Sequence, residues 1–138
     1  MTVYLDTSAL LRLVLREPGA IAGLRSCEAL VSSELLAVES ARTLDRLRQQ
    51  GVLSLQEAAT LRRTVAEWLE AIDLVLLRPP ALNRAAEPLP VPLGTLEAIH
   101  LATALTWRER MGTLPAIATH DTALGLAARS FGFDVWGD

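Results

Sequence analysis

The residues of this chain best suited to chemistry are Asp6, Glu39, Glu97 and Asp121. Asp6 follows the apolar run Val3-Tyr4-Leu5, and Asp121 follows Ala116-Ile117-Ala118 and Thr119-His120, so each stands where a buried strand should end. Glu97 lies two residues after Thr95, in the first turn of a predicted helix. Glu39 interrupts Leu35-Leu36-Ala37-Val38 and Ser40-Ala41, an acid in a mostly apolar stretch, which costs free energy unless it is exposed or partnered. Carboxylates that converge on one point repel each other, and a divalent cation removes that penalty. Mg²⁺ and Mn²⁺ prefer oxygen ligands and keep several waters. Such an ion activates a bound water and neutralises charge on a phosphoryl oxygen, which links convergent acids to phosphodiester hydrolysis.

Each acid also has an ordinary structural role open to it. Asp6 and Asp121 sit where a helix N-cap belongs, Glu97 can complement a helix dipole, and Glu39 can face water. Other chemistries have less support. No Ser/His/Asp or Cys/His pairing stands out, and Cys27 lacks activating neighbours in sequence. A phosphatase that forms an aspartyl intermediate would want a second acid two residues after the first, where Ser8 stands. His100 has no partner evident in sequence and reads as a packed helix residue. Arg42, three residues after Glu39, falls near the same helix face. It can pair with an acid of the site, meet a substrate phosphate, or be a solvated arginine like Arg46 and Arg48.

The elements that must position these residues alternate strand with helix. Val3 to Leu5 reads as a strand, and Asp6-Thr7-Ser8 caps an apolar helix from Ala9 to Arg16 that Pro18-Gly19 breaks. A short helix over Ala20 to Ser26 and a strand over Ala29 to Val31 follow. A long helix runs from Glu34 to Gln50, and another, capped by Ser54, from Leu55 to Ala71. Leu74 to Leu77 reads as a third strand that Pro79-Pro80 ends, and Arg84 to Gly94 reads as irregular or only briefly helical. Thr95 opens a helix to Arg110, Ala116 to Ala118 forms a fourth strand, Asp121 opens a helix to Ser130, and Phe133 to Trp136 forms a last strand. Strands that are continuously apolar and alternate with helices predict a parallel α/β sheet with helices on both faces. In such sheets ligands bind beyond the carboxyl ends of the strands, where Asp6 and Asp121 fall. The helix Ala9 to Arg16 is apolar nearly all round, and its surplus surface predicts a contact with a second copy or another partner.

The chain's 138 residues fit one domain, and 51% hydrophobic content supports a core without disulfide or zinc staples. A single cysteine allows no intrachain disulfide. The N-terminus lacks a basic region and carries Asp6, so it does not read as a signal peptide, and no apolar run is long enough to span a bilayer. A cytoplasmic protein without a membrane contact is the expectation. A net charge of −3 argues against a simple RNA- or DNA-binding module, although all 13 Lys-plus-Arg cations are arginines.

The wording around the acids is more specific than their spacing. Val3-Tyr4-Leu5-Asp6-Thr7-Ser8-Ala9-Leu10-Leu11 resembles the opening of PIN domains of the VapC toxin family. Ser33 to Glu39, Thr95 to Ala104, and Thr119-His120-Asp121 with Gly132 to Val135 resemble its later acidic segments, so the resemblance covers nearly the whole of residues 1–138 as a single PIN domain. It implies a three-layer PIN-like fold with a five-stranded parallel sheet and a Mg²⁺- or Mn²⁺-dependent endoribonuclease. Asp6, Glu39, Glu97 and Asp121 match the acidic positions, and Thr119 matches a hydroxyl position near the fourth acid. The implied partners are the RNA substrate, a second toxin copy in a homodimer, and a VapB-like antitoxin. Two positions depart from the family pattern. Glu97 stands where an aspartate is usual, and Gly94 where arginine is frequent. The alternative reading is a non-catalytic PIN-like binding module whose site has degraded at Glu97.

Overall fold

The computed structural model describes residues 1–113 and 115–137. Five parallel strands, β1 (Thr2–Leu5), β2 (Ala29–Ser33), β3 (Ile72–Val75), β4 (Ala116–Ala118) and β5 (Val135–Trp136), form one sheet in the order β3-β2-β1-β4-β5. Six α-helices complete the described fold: α1 (Thr7–Val14), α2 (Leu35–Gln49), α3 (Leu55–Ala71), α4 (Pro79–Ala85), α5 (Thr95–Met111) and α6 (Thr122–Ser130). The predicted helix before β2 is a 3-10 turn, Ala22–Ser26.

The sheet is covered on both faces, and the two-residue period of a strand shows how. Val3 and Leu5 of β1 pack with Leu10 and Val14 of α1, Leu36 and Leu44 of α2, and Val65 of α3. Tyr4, between them, packs on the opposite face with Leu101 and Leu105 of α5 and Leu124 and Ala128 of α6. The result is the expected three-layer α/β fold.

Leu10, Leu11, Leu13 and Val14 are all buried, with Leu61, Trp68 and Leu69 of α3 packed against the same core. The surplus apolar surface expected of α1 is therefore consumed inside the chain, and this helix supplies no argument for a contact with another molecule.

Helix α3 keeps its predicted bounds because Ser54 and Glu57 close a reciprocal capping box and fix its start. Helix α1 spans Thr7–Val14 rather than Ala9 to Arg16, β2 extends to Ser33, and three further segments differ from expectation. The third strand is Ile72–Val75 rather than Leu74 to Leu77. Ile72 is already extended as it leaves α3 and pairs with Leu30, so helix passes into strand without a loop. Pro79 and Pro80 begin α4 rather than a break, since proline at the first helical positions gives up no intrahelical bond. The last strand contracts to Val135–Trp136, where pairing with Ile117 and Ala118 limits it.

Strand order reverses between β1 and β4. From β1 the chain builds outward to β2 and β3, then returns to lay β4 and β5 on the other side. Crossovers leave toward opposite sides of such a switch point and open a crevice at the carboxyl ends of the strands.

Candidate active site

Asp6 and Thr119 follow the two strands that flank the switch point. Asp6 is buried and caps α1, its Oδ1 accepting from the Ala9 amide at 3.0 Å and from Ser8 Oγ at 2.7 Å. Its Oδ2 accepts from Thr119 Oγ1 at 2.7 Å. Thr119 Oγ1 in turn accepts from the Asp121 amide at 2.9 Å, and Asp121 caps α6 by accepting from the Leu124 amide at 2.8 Å. Ser8 Oγ also receives the His120 amide at 2.9 Å, a second tie across the crevice. The N-cap roles open to Asp6 and Asp121 in sequence are thus real. Capping also aims the positive ends of two helices at one place, which favours negative charge there.

Glu39, in the second turn of α2, reaches the same edge. Its Oε1 accepts from Thr7 Oγ1, next to Asp6, and from His100 Nε2, both at 2.7 Å. The His100 ring is buried on α5, and its Nδ1 stands 2.7 Å from the Tyr4 hydroxyl. Sequence reasoning missed this contact because Glu39 and His100 are 61 residues apart. Thr7, Ser8 and Tyr4 were also missed as members of the network. A hydroxyl directly after an acid at a strand end was the one available signal.

Burial pushes the Asp6 carboxyl above the ordinary aspartate range, and the hydrogen bonds from Thr119 and Ser8 offset only part of that. For Glu39 burial also acts upward, but the bonds from His100 and Thr7, with attraction to His100, outweigh it and hold the carboxyl below its usual value. Burial lifts the Tyr4 phenol far up, so it keeps its proton.

Glu97 behaves differently. It occupies the third position of α5 and its carboxylate folds back over Gly94, the N-cap residue. A Cβ added at Gly94 would stand 2.5 Å from Glu97 Oε2. The two departures from the family pattern are therefore neighbours, and the longer acid occupies space that a side chain at 94 would need. Arg42 is 66% exposed and pairs with Asp45 at 3.2 Å rather than with any of the four acids. Among the described residues, no group of three or more His, Cys, Asp or Glu side chains stands close enough to hold an ion in this arrangement. The donors at the crevice are nonetheless carboxylate and hydroxyl oxygens, the kind that suits Mg²⁺ or Mn²⁺.

The PIN domain family matches residues 3–129. Ribonuclease VapC46 of Mycobacterium tuberculosis is 34% identical over 137 residues, covering 96% of this chain and 95% of that protein. Ribonuclease VapC47 of the same organism is 31% identical over 138 residues, covering 95% and 93%. The three-layer sheet with an acid at each side of its switch point is that of a PIN domain. The chain belongs to the VapC family of PIN domains.

Proposed function

We propose that this chain, residues 1–138 as a single PIN domain, is a metal-dependent endoribonuclease, the toxin of a toxin–antitoxin pair. The observation that carries this reading is the tie of Asp6 to Asp121 through Thr119 at the switch point, with Glu39 joined to the same edge through Thr7. Membership of the VapC family and two relatives named as ribonucleases support it.

In this reading Asp6, Glu39, Glu97 and Asp121 hold Mg²⁺ or Mn²⁺. When bound, the ion supplies an activated water and neutralises charge on the scissile phosphate. Thr119 keeps the Asp6 carboxylate directed across the crevice. The amino ends of α1 and α6 add fixed positive potential for an anionic substrate. Arg42, on the exposed side of α2 near Glu39, meets an RNA phosphate once it leaves Asp45. No side chain forms a covalent intermediate. The partners are RNA, a VapB-like antitoxin and a second copy of the chain, and the compartment is the cytoplasm. No described helix is long and apolar enough to cross a membrane.

One observation favours the second reading, a PIN-like module without catalysis. Glu97 is turned to Gly94, away from an alignment with the other acids that would by itself hold an ion. Titrating Mn²⁺ into the protein while following cleavage of an RNA pool separates the two. Metal binding and Mn²⁺-dependent cleavage that Asp6→Asn abolishes supports the enzyme. Binding of RNA or antitoxin with no cleavage at saturating Mn²⁺ supports the module.

A further inference from the structure

The sequence offered His100 only as a packing residue, and the structure gives its ring two specific partners. Nε2 lies 2.7 Å from Glu39 Oε1 and Nδ1 lies 2.7 Å from the Tyr4 hydroxyl, with the ring almost fully enclosed. Tyr4 and His100 also meet edge to face, with ring centroids 5.9 Å apart and planes at 75°. The proton inventory of these groups fixes their roles. An ionised carboxylate only accepts, so Nε2 must carry a proton toward Glu39 whatever the charge on the ring. In the neutral ring Nδ1 is then bare, and the Tyr4 hydroxyl is its donor.

Thr7 donates to the same oxygen of Glu39 that His100 does, at 2.7 Å. Both ties therefore fall on Oε1. Two donors on one oxygen pin a long, rotatable side chain and leave Oε2 as the oxygen able to turn to a cation. Burying an imidazole costs free energy unless its nitrogens are paired, and an apolar residue would fill the same volume without that cost.

We infer that His100 is a positioning residue: its Nε2–H, held in register by Tyr4, anchors Oε1 of Glu39 so that Oε2 is presented to the metal. This rests on Glu39 being a metal ligand, as proposed above. Hydrogen bonds to ligating carboxylates set ligand orientation, and losing such a partner typically weakens metal binding about 10- to 100-fold. Glutamine at 100 can place an amide N–H near the position of Nε2, whereas leucine fills the space and donates nothing.

The test has two readouts, neither of them RNA cleavage. Nitrogen-15 correlation spectra of the metal-free protein report which nitrogen of His100 is protonated, and calorimetric titration with Mn²⁺ reports affinity. The expected results are a protonated Nε2, Mn²⁺ binding about 10- to 100-fold weaker in His100→Leu, and substantial recovery in His100→Gln. A ring protonated at Nδ1 alone overturns the inference without any variant. So does a His100→Leu protein that folds and binds Mn²⁺ as the parent does while Glu39→Gln does not. Should Glu39→Gln also bind Mn²⁺ like the parent, the assignment of Glu39 to the metal fails, and the positioning role fails with it.

Discussion

Thr119 Oγ1 donates to Asp6 Oδ2 at 2.7 Å, joining residues 113 positions apart across the seam where strand order reverses. The same hydroxyl accepts the Asp121 amide. Thr119→Val keeps the shape, removes the donor to a buried carboxylate, and leaves that amide without its acceptor. A buried polar group left unpaired costs about 1–3 kcal/mol. Urea unfolding should show a loss of that size for valine and a much smaller one for Thr119→Ser, which keeps the hydroxyl. Equal stability of the valine variant and the parent would mean that water replaces the tie freely.

Asp6 gives a pH dependence of definite sign. Burial raises its carboxyl above the value in the unfolded chain, so the folded state binds this proton more tightly. Its contribution therefore favours folding at acid pH and is lost as pH rises from the ordinary aspartate value through the raised one. In chelator, Asp6→Asn should melt at a temperature equal to or above the parent's at neutral pH, with the advantage shrinking as the solution is acidified. It should also remove Mn²⁺ binding and most RNA cleavage. A variant less stable at neutral pH than at acid pH, relative to the parent, contradicts the sign.

Glu97 and Gly94 lend themselves to a double-mutant cycle. At Gly94 the backbone φ is −70°, which any residue adopts, so alanine there strains nothing in the main chain. Its Cβ would instead displace the flexible end of Glu97. If that carboxylate serves the metal once released, Gly94→Ala tightens Mn²⁺ binding and the gain vanishes in the Glu97→Gln background. Glu97→Gln alone should bind Mn²⁺ more weakly than the parent. Parental affinity in both variants would reduce the proposed ligand set to Asp6, Glu39 and Asp121.

Arg42 is predicted to contribute through RNA phosphate rather than through the acids. Arg42→Ala should weaken RNA binding modestly and lower the slope of log affinity against log salt by up to about one phosphate contact. An unchanged slope assigns Arg42 to its surface pair with Asp45 alone.

The architecture was largely legible in the sequence, because apolar strands alternating with helices carry their own signature and because caps mark helix starts. Ser54 marked the start of α3, and Asp6 and Asp121 announced α1 and α6. Less legible was the run Ile72 to Leu77, where six apolar or mixed residues allow more than one pairing and only the partner strand chooses. Pro79-Pro80 misled because proline both ends strands and begins helices. At the candidate site, the wording of the sequence proposes the acids but says nothing of their company. The imidazole on Glu39 comes from another helix, and the direction of the Glu97 carboxylate depends on an empty space at Gly94.

The central place of β1 has a consequence for how the protein is made. The strand nearest the N-terminus pairs on one side with β2, about 27 residues later, and on the other with β4, whose register sets Val3 against Ala116. Contacts of such long separation pay their loop-closure entropy late and slow folding. During translation, one edge of β1 therefore waits for nearly the whole chain, and Asp6 cannot meet Thr119 or Asp121 until those residues have emerged. An incomplete chain carries its first acid without the last one. Whatever this crevice does to its substrate, a growing polypeptide cannot yet do to the ribosome and message that are making it.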